Sequence, residues 1–452
     1  MVGKASRIAC IGAGYVGLAT SLCLAGAGFD VTCADRDAAK VASLSAGRCT
    51  LGEAGMAGML RDALDAGRLR FTVSNAEAIA GSGMAFICVW TPQGPDGKAD
   101  LSSLFAVARD IGANMAGRMD VVVKSTVPAG TARKVREAIV RAAPDAVRAY
   151  GLEVLSCPEF LRESSAIRDT LHPSRVVIGC DDDGAALRLR ETMEAMVAPG
   201  TPFVMTGPES AETLKYAANA FLSMKVAFIN EVAGYCEAVG ADVRDVSRGL
   251  GMDDRIGPKF LAAGPGFSGG CFPKDLAALL HEGRSLGVPL MILEATAESN
   301  MAQRRRLAGK VATALGDPAA PPGSSLRGRL IAILGLSFKQ GTGDMRDSVS
   351  LYFARELCAR GASLSLFDPE ASQKVGEFLG ELMPSIKVCP DEYGAAAGAD
   401  AVVILTDWPR FAAMDLGRLG AVMGRRLIFD YRNVLSGAEA AAEGFEYHGV
   451  GV

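Results

Sequence analysis

The chain has 452 residues, which at roughly 150 residues per domain is material for two or three domains, each able to bury its own core. Its 47 Lys and Arg nearly balance its 51 Asp and Glu, for a formal net charge of -4, so neither a nucleic-acid partner nor a membrane-surface partner is expected. No run approaches the ~18 apolar residues of a membrane span.

Along the chain, "RIACI" (residues 7–11) is a short apolar run that ends in glycines, and "DVTCAD" follows after a helix-length segment. That is the strand, helix, strand order of a parallel unit. Further buried-strand runs at "MAFICVW", "DVVVKST", "LEVLSCPEF" and "SRVVIGC" extend a doubly wound α/β domain over residues 1–205. Residues 206–315 change to long amphipathic stretches such as "ETLKYAANAFLSMKVAFINEVAGYCEAVG", which predict a central helical domain. Pro, Gly and Ser concentrate in "GDPAAPPGSSLRGR" (residues 316–329), which reads as a linker. The alternation then returns in residues 330–452 with "LIAILGLSF", "SLSLFD", "AVVILTDW" and "RLIFDYR". The expected fold is α/β, with two Rossmann-like doubly wound domains joined by the helical one.

The amino terminus enters an apolar segment at once, but glycines interrupt it and no cleavage-site pattern follows, so no signal peptide is expected. Eleven cysteines are dispersed with no CxxC pair, and three histidines (His172, His281, His448) lie far apart. A disulfide framework, a metal site and a His-based triad are therefore not expected, and a reducing, cytoplasmic setting is.

The most legible motif is "CIGAGYVGLAT". Gly12, Gly14 and Gly17 fit G-x-G-x-x-G directly after a strand, a turn that lets a pyrophosphate approach a helix N-terminus. Asp35, at the end of the next strand, is placed to accept from a ribose diol and would repel a 2′-phosphate, which favours NAD over NADP; Arg36 beside it pulls the other way. Thr91 in "VWTPQG" and Thr126 in "KSTVPAGT" fall at the carboxyl edge of the sheet, where ligands bind, although threonine and proline also simply end strands. Lys215 and Asn219, four apart, share a helix face and would suit an oxyanion; a helical lysine is also often a solvated charge.

In "GPGFSGGCFPKD" (residues 264–275), Cys271 follows a glycine-rich loop, and Pro273 suits the first position of a new helix. The helix dipole and Lys274 would favour its thiolate, against the alternative of a small buried cysteine. Asp275 is either a favourable first-turn charge or a group that orients water.

Together, "GAGYVGLAT", "KSTVPAGT", "PEFLRESSAIRDTLHPSRVVIG", "KYAANAFLSMKVAFINEVA", "RIGPKFL", "GGCFPKD" and "LGLSFKQGTGDMRDS" resemble, in order and spacing, the nucleotide-sugar dehydrogenases of the UDP-glucose/GDP-mannose dehydrogenase family. The resemblance implies a homodimer and a two-step, four-electron oxidation of a sugar C6 alcohol by NAD through a cysteine thiohemiacetal and thioester. It implies Cys271 as nucleophile, Lys215 and Asn219 as oxyanion donors, Asp275 and Thr126 as groups that position water, and Glu159 as the acid-base carboxylate. Implied cofactor contacts are Gly12, Gly14, Tyr15, Val16, Gly17, Asp35, Lys40, Thr91, Thr126, Glu163, Lys274 and Arg346. Implied substrate contacts are Glu159, Phe160, Leu161, Arg162, Lys215, Asn219, Phe260, Leu261, Gly264, Lys339 and Arg432, with Arg255 reaching the neighbouring subunit's substrate.

UDP-glucose is the expected UDP-sugar, because "HPSRVVIG" and "CFPKD" look most like enzymes of that substrate. GDP-mannose and UDP-N-acetylmannosamine are the rivals, and an inactive NAD-binding sensor is the alternative of a different class. Four positions depart from the family pattern: Trp90 where a small residue is usual, Cys157 for an asparagine, "GEAGM" for "YEPGL", and Ser268 placed three residues ahead of the thiol.

Overall fold

A computed structural model describes residues 7–49, 51–321 and 323–452. Residues 1–6, at the start of the segment judged not to be a signal peptide, and Pro322 of the expected linker lie outside the described residues. The chain forms two compact units: one runs to Ala218 and adds Ala277–Gly287, and the other comprises Asn219–Leu276 and Val288–Val452.

In the first unit, β1 (Arg7–Ile11), β2 (Asp30–Ala34), β3 (Leu69–Thr72), β4 (Met84–Ile87), β5 (Met119–Val123), β6 (Leu152–Ser156), β7 (Val176–Gly179) and β8 (Phe203–Thr206) form one sheet. Their order is β3-β2-β1-β4-β5-β6-β7-β8, parallel throughout except where β6 meets β7 at Ser156 and Gly179. Both faces are covered, so the central strands read as continuous apolar runs. Alternate residues serve opposite cores: Ile8 and Cys10 of β1 join one cluster, Ala9 and Ile11 the other. Helix α1 (Tyr15–Gly26) starts directly after the glycine turn of β1.

The second unit holds a six-stranded parallel sheet of β9 (Leu330–Leu334), β10 (Ser363–Phe367), β11 (Ile386–Val388), β12 (Ala401–Ile404), β13 (Leu427–Asp430) and β14 (Glu446–His448), in the order β11-β10-β9-β12-β13-β14. The two sheets repeat one topology, with the strand order reversing beside the first strand of each. Helix α2 (Pro208–Val239) has 32 residues, about 48 Å at 1.5 Å per residue, and its chain passes from one unit into the other. Helix α3 (Phe272–Ser285) begins one residue after Cys271, so Pro273 occupies its second position rather than its first.

Helix α4 (Met291–Leu315) packs Leu307, Ala308, Val311 and Leu315 into the core of the second sheet, beside Ile229, Ala233 and Cys236 of α2. The segment read as a linker is pinned to that core by Leu326, whose backbone N–H donates to the Arg360 carbonyl at 2.9 Å.

Candidate active site

The strand order of the first sheet reverses between β1 and β4, and the carboxyl edge at such a reversal is where an open α/β sheet binds a ligand. Gly12 turns there with φ +103°, and a Cβ on it would sit 2.7 Å from the Cys88 carbonyl oxygen. A Cβ on Gly17 would lie 1.7 Å from the Gly12 oxygen, so the turn cannot close over a larger residue. Gly14, between them at the start of α1, is exposed with open space in front of its Cα, as a diphosphate approaching that backbone requires.

Asp35, at the end of β2, accepts from the Ala13 N–H at 2.8 Å, the Asp37 N–H at 3.0 Å and Lys40 Nζ at 3.0 Å. Burial alone would raise its carboxyl, but these donors together hold it below the ordinary aspartate range. The acid stays ionised with acceptor capacity to spare for a ribose diol. Asp368, at the end of β10, holds the corresponding place in the second sheet, but its Oδ2 takes donors from Leu336, Ser337 (backbone and hydroxyl) and Trp408, and its Oδ1 from Glu370 and Ala371. Repeated topology therefore carries a dinucleotide-competent acid in one sheet and a saturated structural one in the other.

The turns after β4 and β5 are laced together. Thr91 Oγ1 donates to the Thr126 carbonyl at 2.8 Å, and Ser125 Oγ donates to the Val89 carbonyl at 2.7 Å. Beyond β6, Glu159 accepts Lys215 Nζ at 3.0 Å on Oε1 and the Leu161 N–H at 2.5 Å on Oε2. Lys215 is 4 % exposed, so the solvated reading of this lysine is wrong for the fold: it is a buried cation held by a carboxylate and facing the Phe160 ring. Arg162 forks onto Asp169, and Arg175 covers the other candidate contact, Phe160, at 3.7 Å. Cys157 is buried, and Lys124 Nζ lies 3.4 Å from its carbonyl and 4.0 Å from its sulfur.

In the second unit, Asn219 Nδ2 donates to Asp275 Oδ2 at 2.6 Å, and Lys274 Nζ meets Asp275 Oδ1 at 2.6 Å, all three being buried. The Asp275 N–H closes the first turn of α3 on the Cys271 carbonyl at 2.9 Å. Of the eleven cysteines Cys271 alone is exposed. Burial pushes the thiols of Cys23, Cys33 and Cys88 up to about 12.

The loop leading to the thiol is held peptide by peptide. Gly264 donates its N–H to Asn230 Oδ1 and accepts Gln303 Nε2, each at 2.8 Å. Phe267 is held on both sides by Asn300, and its carbonyl also accepts Arg304 Nη2 at 2.8 Å. Arg304 in turn lies 3.6 Å from Asp347, whose carboxyl burial raises above its ordinary range. Gly264 faces the Tyr431 carbonyl and Arg432, whose Nε donates to the Leu405 carbonyl at 2.7 Å.

Thus Asn219, Leu261, Gly264, Cys271, Lys274, Asp275, Lys339, Arg346 and Arg432 fall in one unit, and the glycine turn, Asp35, Thr91, Thr126, Glu159 to Glu163 and Lys215 in the other. Lys40 is engaged with Asp35, Arg346 with Asp344, and Arg255, 89 % exposed, with Asp253. Phe260 takes a left-handed φ of +64°, and its ring lies 5.9 Å from that of Phe272, tilted by 45°.

Sequence reasoning missed Asn300, Gln303, Arg304, Asn230 and Ser125, and two long-range caps. Glu53 of "GEAGM" accepts the N–H groups of Ser164 and Ala166, holding the "LRESSA" segment, and Glu212 accepts those of Gly130 and Ala132 at 2.7 Å each. One signal was available: the buried stripe of α4 runs Thr296, Asn300, Gln303, Arg304, Leu307, Ala308, Val311, so the helical period continues while its chemistry turns polar.

A reversed-order parallel sheet with this glycine turn and this acid defines a dinucleotide-binding protein. Residues 6–198, 209–302 and 332–437 match the NAD-binding, central and UDP-binding domains of the UDP-glucose/GDP-mannose dehydrogenase family, and the chain belongs to that family. Among its relatives is the UDP-glucose 6-dehydrogenase of Rhizobium meliloti, 42% identical over 98% of this chain and 99% of that one. A UDP-glucose dehydrogenase structure from Pyrobaculum islandicum is similar at 36% identity and TM-score 0.89, covering 100% of this chain and 99% of that one. The UDP-D-ManNAc dehydrogenase structure from Pyrococcus horikoshii is similar at 25% identity and TM-score 0.85, over 98% and 99% of the two chains. The cofactor is NAD, as the turn and Asp35 imply. Among the described residues no helix is long and apolar enough to cross a membrane.

Proposed function

We propose that this chain oxidises UDP-glucose to UDP-glucuronate in two NAD-dependent steps, through a thioester on Cys271. The observation that carries the reading is the contrast among the thiols: ten are wholly or partly buried, and the one at the mouth of α3 is exposed on a loop clamped at both of its hinge peptides. The 42% relative and the archaeal structure both bear UDP-glucose in their names, and the N-acetylmannosamine enzyme is more distant.

NAD supplies the hydride acceptor for both oxidations, held by the Gly12–Gly17 turn, by Asp35 and by the Thr91 and Thr126 edge; Lys40, Glu163, Lys274 and Arg346 are the further contacts proposed. The C6 alcohol first loses a hydride and a proton to become an aldehyde. The Cys271 thiolate adds to the carbonyl carbon to give a thiohemiacetal alkoxide, and loss of a second hydride from that carbon leaves the thioester. Water attacks that carbon, the carboxylate leaves, and the thiolate returns.

Lys215 and Asn219, one turn apart on α2, donate to the oxygen as it gains charge. Glu159 holds Lys215 in place and takes the proton of the attacking water, which Asp275 and Thr126 orient. The uridine diphosphate and sugar are assigned to the family's UDP-binding domain and to Phe160, Leu161, Arg162, Phe260, Leu261, Gly264, Lys339 and Arg432.

The working form is proposed to be a homodimer. Phe221, Phe228 and Tyr235 recur every seven residues on α2 and are 58%, 52% and 69% exposed, an apolar stripe suited to a second copy. In that dimer Arg255 exchanges its exposed contact with Asp253 for the neighbour's substrate. A cytoplasmic site of action suits a chain with so many reduced thiols.

The test follows NADH absorbance with a panel of nucleotide sugars. UDP-glucose should turn over best and yield two NADH per uronate, and Cys271→Ser should abolish uronate formation with the fold intact. Silence across the panel would leave only a dinucleotide-binding sensor, and preferred turnover of another sugar would move the substrate assignment.

A further inference from the structure

Trp90 departs from the family pattern, and the reaction above gives it no task. It lies three residues past the end of β4, the strand bordering the reversal point of the first sheet. Its neighbours are fixed: the Val89 carbonyl accepts Ser125 Oγ, and Thr91, 3 % exposed, donates to the Thr126 carbonyl. Two residues earlier, Cys88 packs its carbonyl against Gly12. Between these two tied positions the indole stands 48% exposed at the carboxyl edge. A half-exposed indole is a large apolar surface to leave in water where a ligand is bound.

The edge offers a second exposed apolar side chain. Val73, directly after β3 and 56% exposed, follows Thr72, whose carbonyl accepts the Asp35 N–H at 3.1 Å. Val73 and Trp90 therefore flank the glycine turn, on the β3 and β4 sides respectively. A dinucleotide whose first ribose is held by Asp35 and whose diphosphate lies at Gly14 must carry its second nucleoside across the reversal point, over β4 and β5.

We propose that Trp90 is a specificity-determining wall of the cofactor cleft and packs against the nicotinamide base in that second half of NAD. This rests on the NAD assignment and goes beyond it, since it names which half of the molecule the indole reads. The contact is additional to the hydrogen bonds that hold the adenosine half and the diphosphate.

The test compares NAD with ADP-ribose, which lacks the nicotinamide base, on wild type, Trp90→Phe and Trp90→Ser. Affinity is read by calorimetry and the indole by its fluorescence, with the difference between wild type and Trp90→Phe isolating Trp90 from Trp408. NAD should quench the Trp90 emission and ADP-ribose should not. Trp90→Ser should weaken NAD by about threefold to tenfold, the size of one aromatic contact, and leave ADP-ribose within about twofold. Trp90→Phe keeps a ring and should fall between, so the proposal stands testable even if the serine variant folds poorly. Equal weakening toward both ligands, or NAD binding without any change in Trp90 emission, would overturn it and leave the cofactor assignment standing. No heat with NAD on wild type would overturn both.

Discussion

Asn300 grips Phe267 from both sides of one residue, its Oδ1 accepting the Phe267 N–H at 2.8 Å and its Nδ2 donating to the Phe267 carbonyl at 3.0 Å. Only a carboxamide meets a donor and an acceptor in this way. Asn300→Asp keeps the first bond and sets a carboxylate oxygen against a carbonyl, while Asn300→Ala leaves a buried N–H unpaired. Each change should cost about 1–3 kcal/mol of stability. The loop placing Cys271 is loosened, so kcat should fall at least about tenfold by the sensitivity of reacting groups to misplacement. The KM for NAD should change less than kcat, because the glycine turn and Asp35 belong to the other unit and only Lys274 and Arg346 of the proposed NAD contacts share the unit of this loop. Steady-state kinetics with thermal unfolding decide it; an unchanged kcat in a destabilised protein would make Asn300 a purely structural residue.

Further along the same loop, between Phe267 and the thiol, the backbone meets Phe338. Gly269 has φ +87°, and a Cβ there would fall 2.5 Å from Phe338 Cδ2. Gly269→Ala therefore carries both backbone strain and an overlap, together about 1–3 kcal/mol. Phe338→Ala in the Gly269→Ala background should recover the overlap and not the strain. A double-mutant cycle on unfolding free energy measures that coupling, and strict additivity would mean that the ring does not set the loop's path.

What was legible in the chain follows from how far each interaction reaches along it. The glycine turn and Asp35 were readable because a strand, a turn and a helix follow one another without interruption, and the turn has no room for side chains at Gly12 and Gly17. Cys271 was readable as a helix-mouth thiol for the same reason. Glu53 and Glu212 were not, since each holds N–H groups 80 or more residues away and nothing local marks a carboxylate as a cap for a distant helix. Asn300, Gln303 and Arg304 are polar residues on a long helix, and nothing in their type marks them as buried. Their inward direction emerges only when the stripe is continued from Leu307, while Met291 and Ile292 on the same helix are 73% and 67% exposed. The burial of Lys215 was likewise invisible, because an ion pair with Glu159 joins positions 56 residues apart by number.

The thiols should separate cleanly under alkylation. Cys23, Cys33 and Cys88 are pushed up to about 12 by burial, so near neutral pH they are neutral as well as covered. Brief treatment of the native protein with iodoacetamide should label Cys271 first and abolish activity with close to one equivalent incorporated. Peptide mapping by mass spectrometry checks this. Saturating UDP-glucose should slow the labelling, and loss of activity ahead of Cys271 modification would assign the reactive thiol elsewhere.

Glu212 supplies a pH dependence with a definite sign. Burial raises its carboxyl from 4.5 to about 7, against the opposing pull of the Ala132 and Gly130 N–H groups that it caps. The unfolded chain releases this proton near 4.5 and the folded one near 7, so between those values the folded state binds more protons. Its contribution to stability is therefore fully present below the unfolded value, is lost as pH rises through the folded value, and is constant above it. The full swing is on the order of 3 kcal/mol. Glu212→Gln cannot titrate, so its unfolding free energy should change less between about pH 5 and about pH 7 than that of wild type. Its baseline should lie lower, because an amide offers one acceptor to two N–H groups. Urea unfolding across that range reads both effects, and parallel pH profiles for the two proteins would show that Glu212 is ionised throughout and acts as a permanently charged cap.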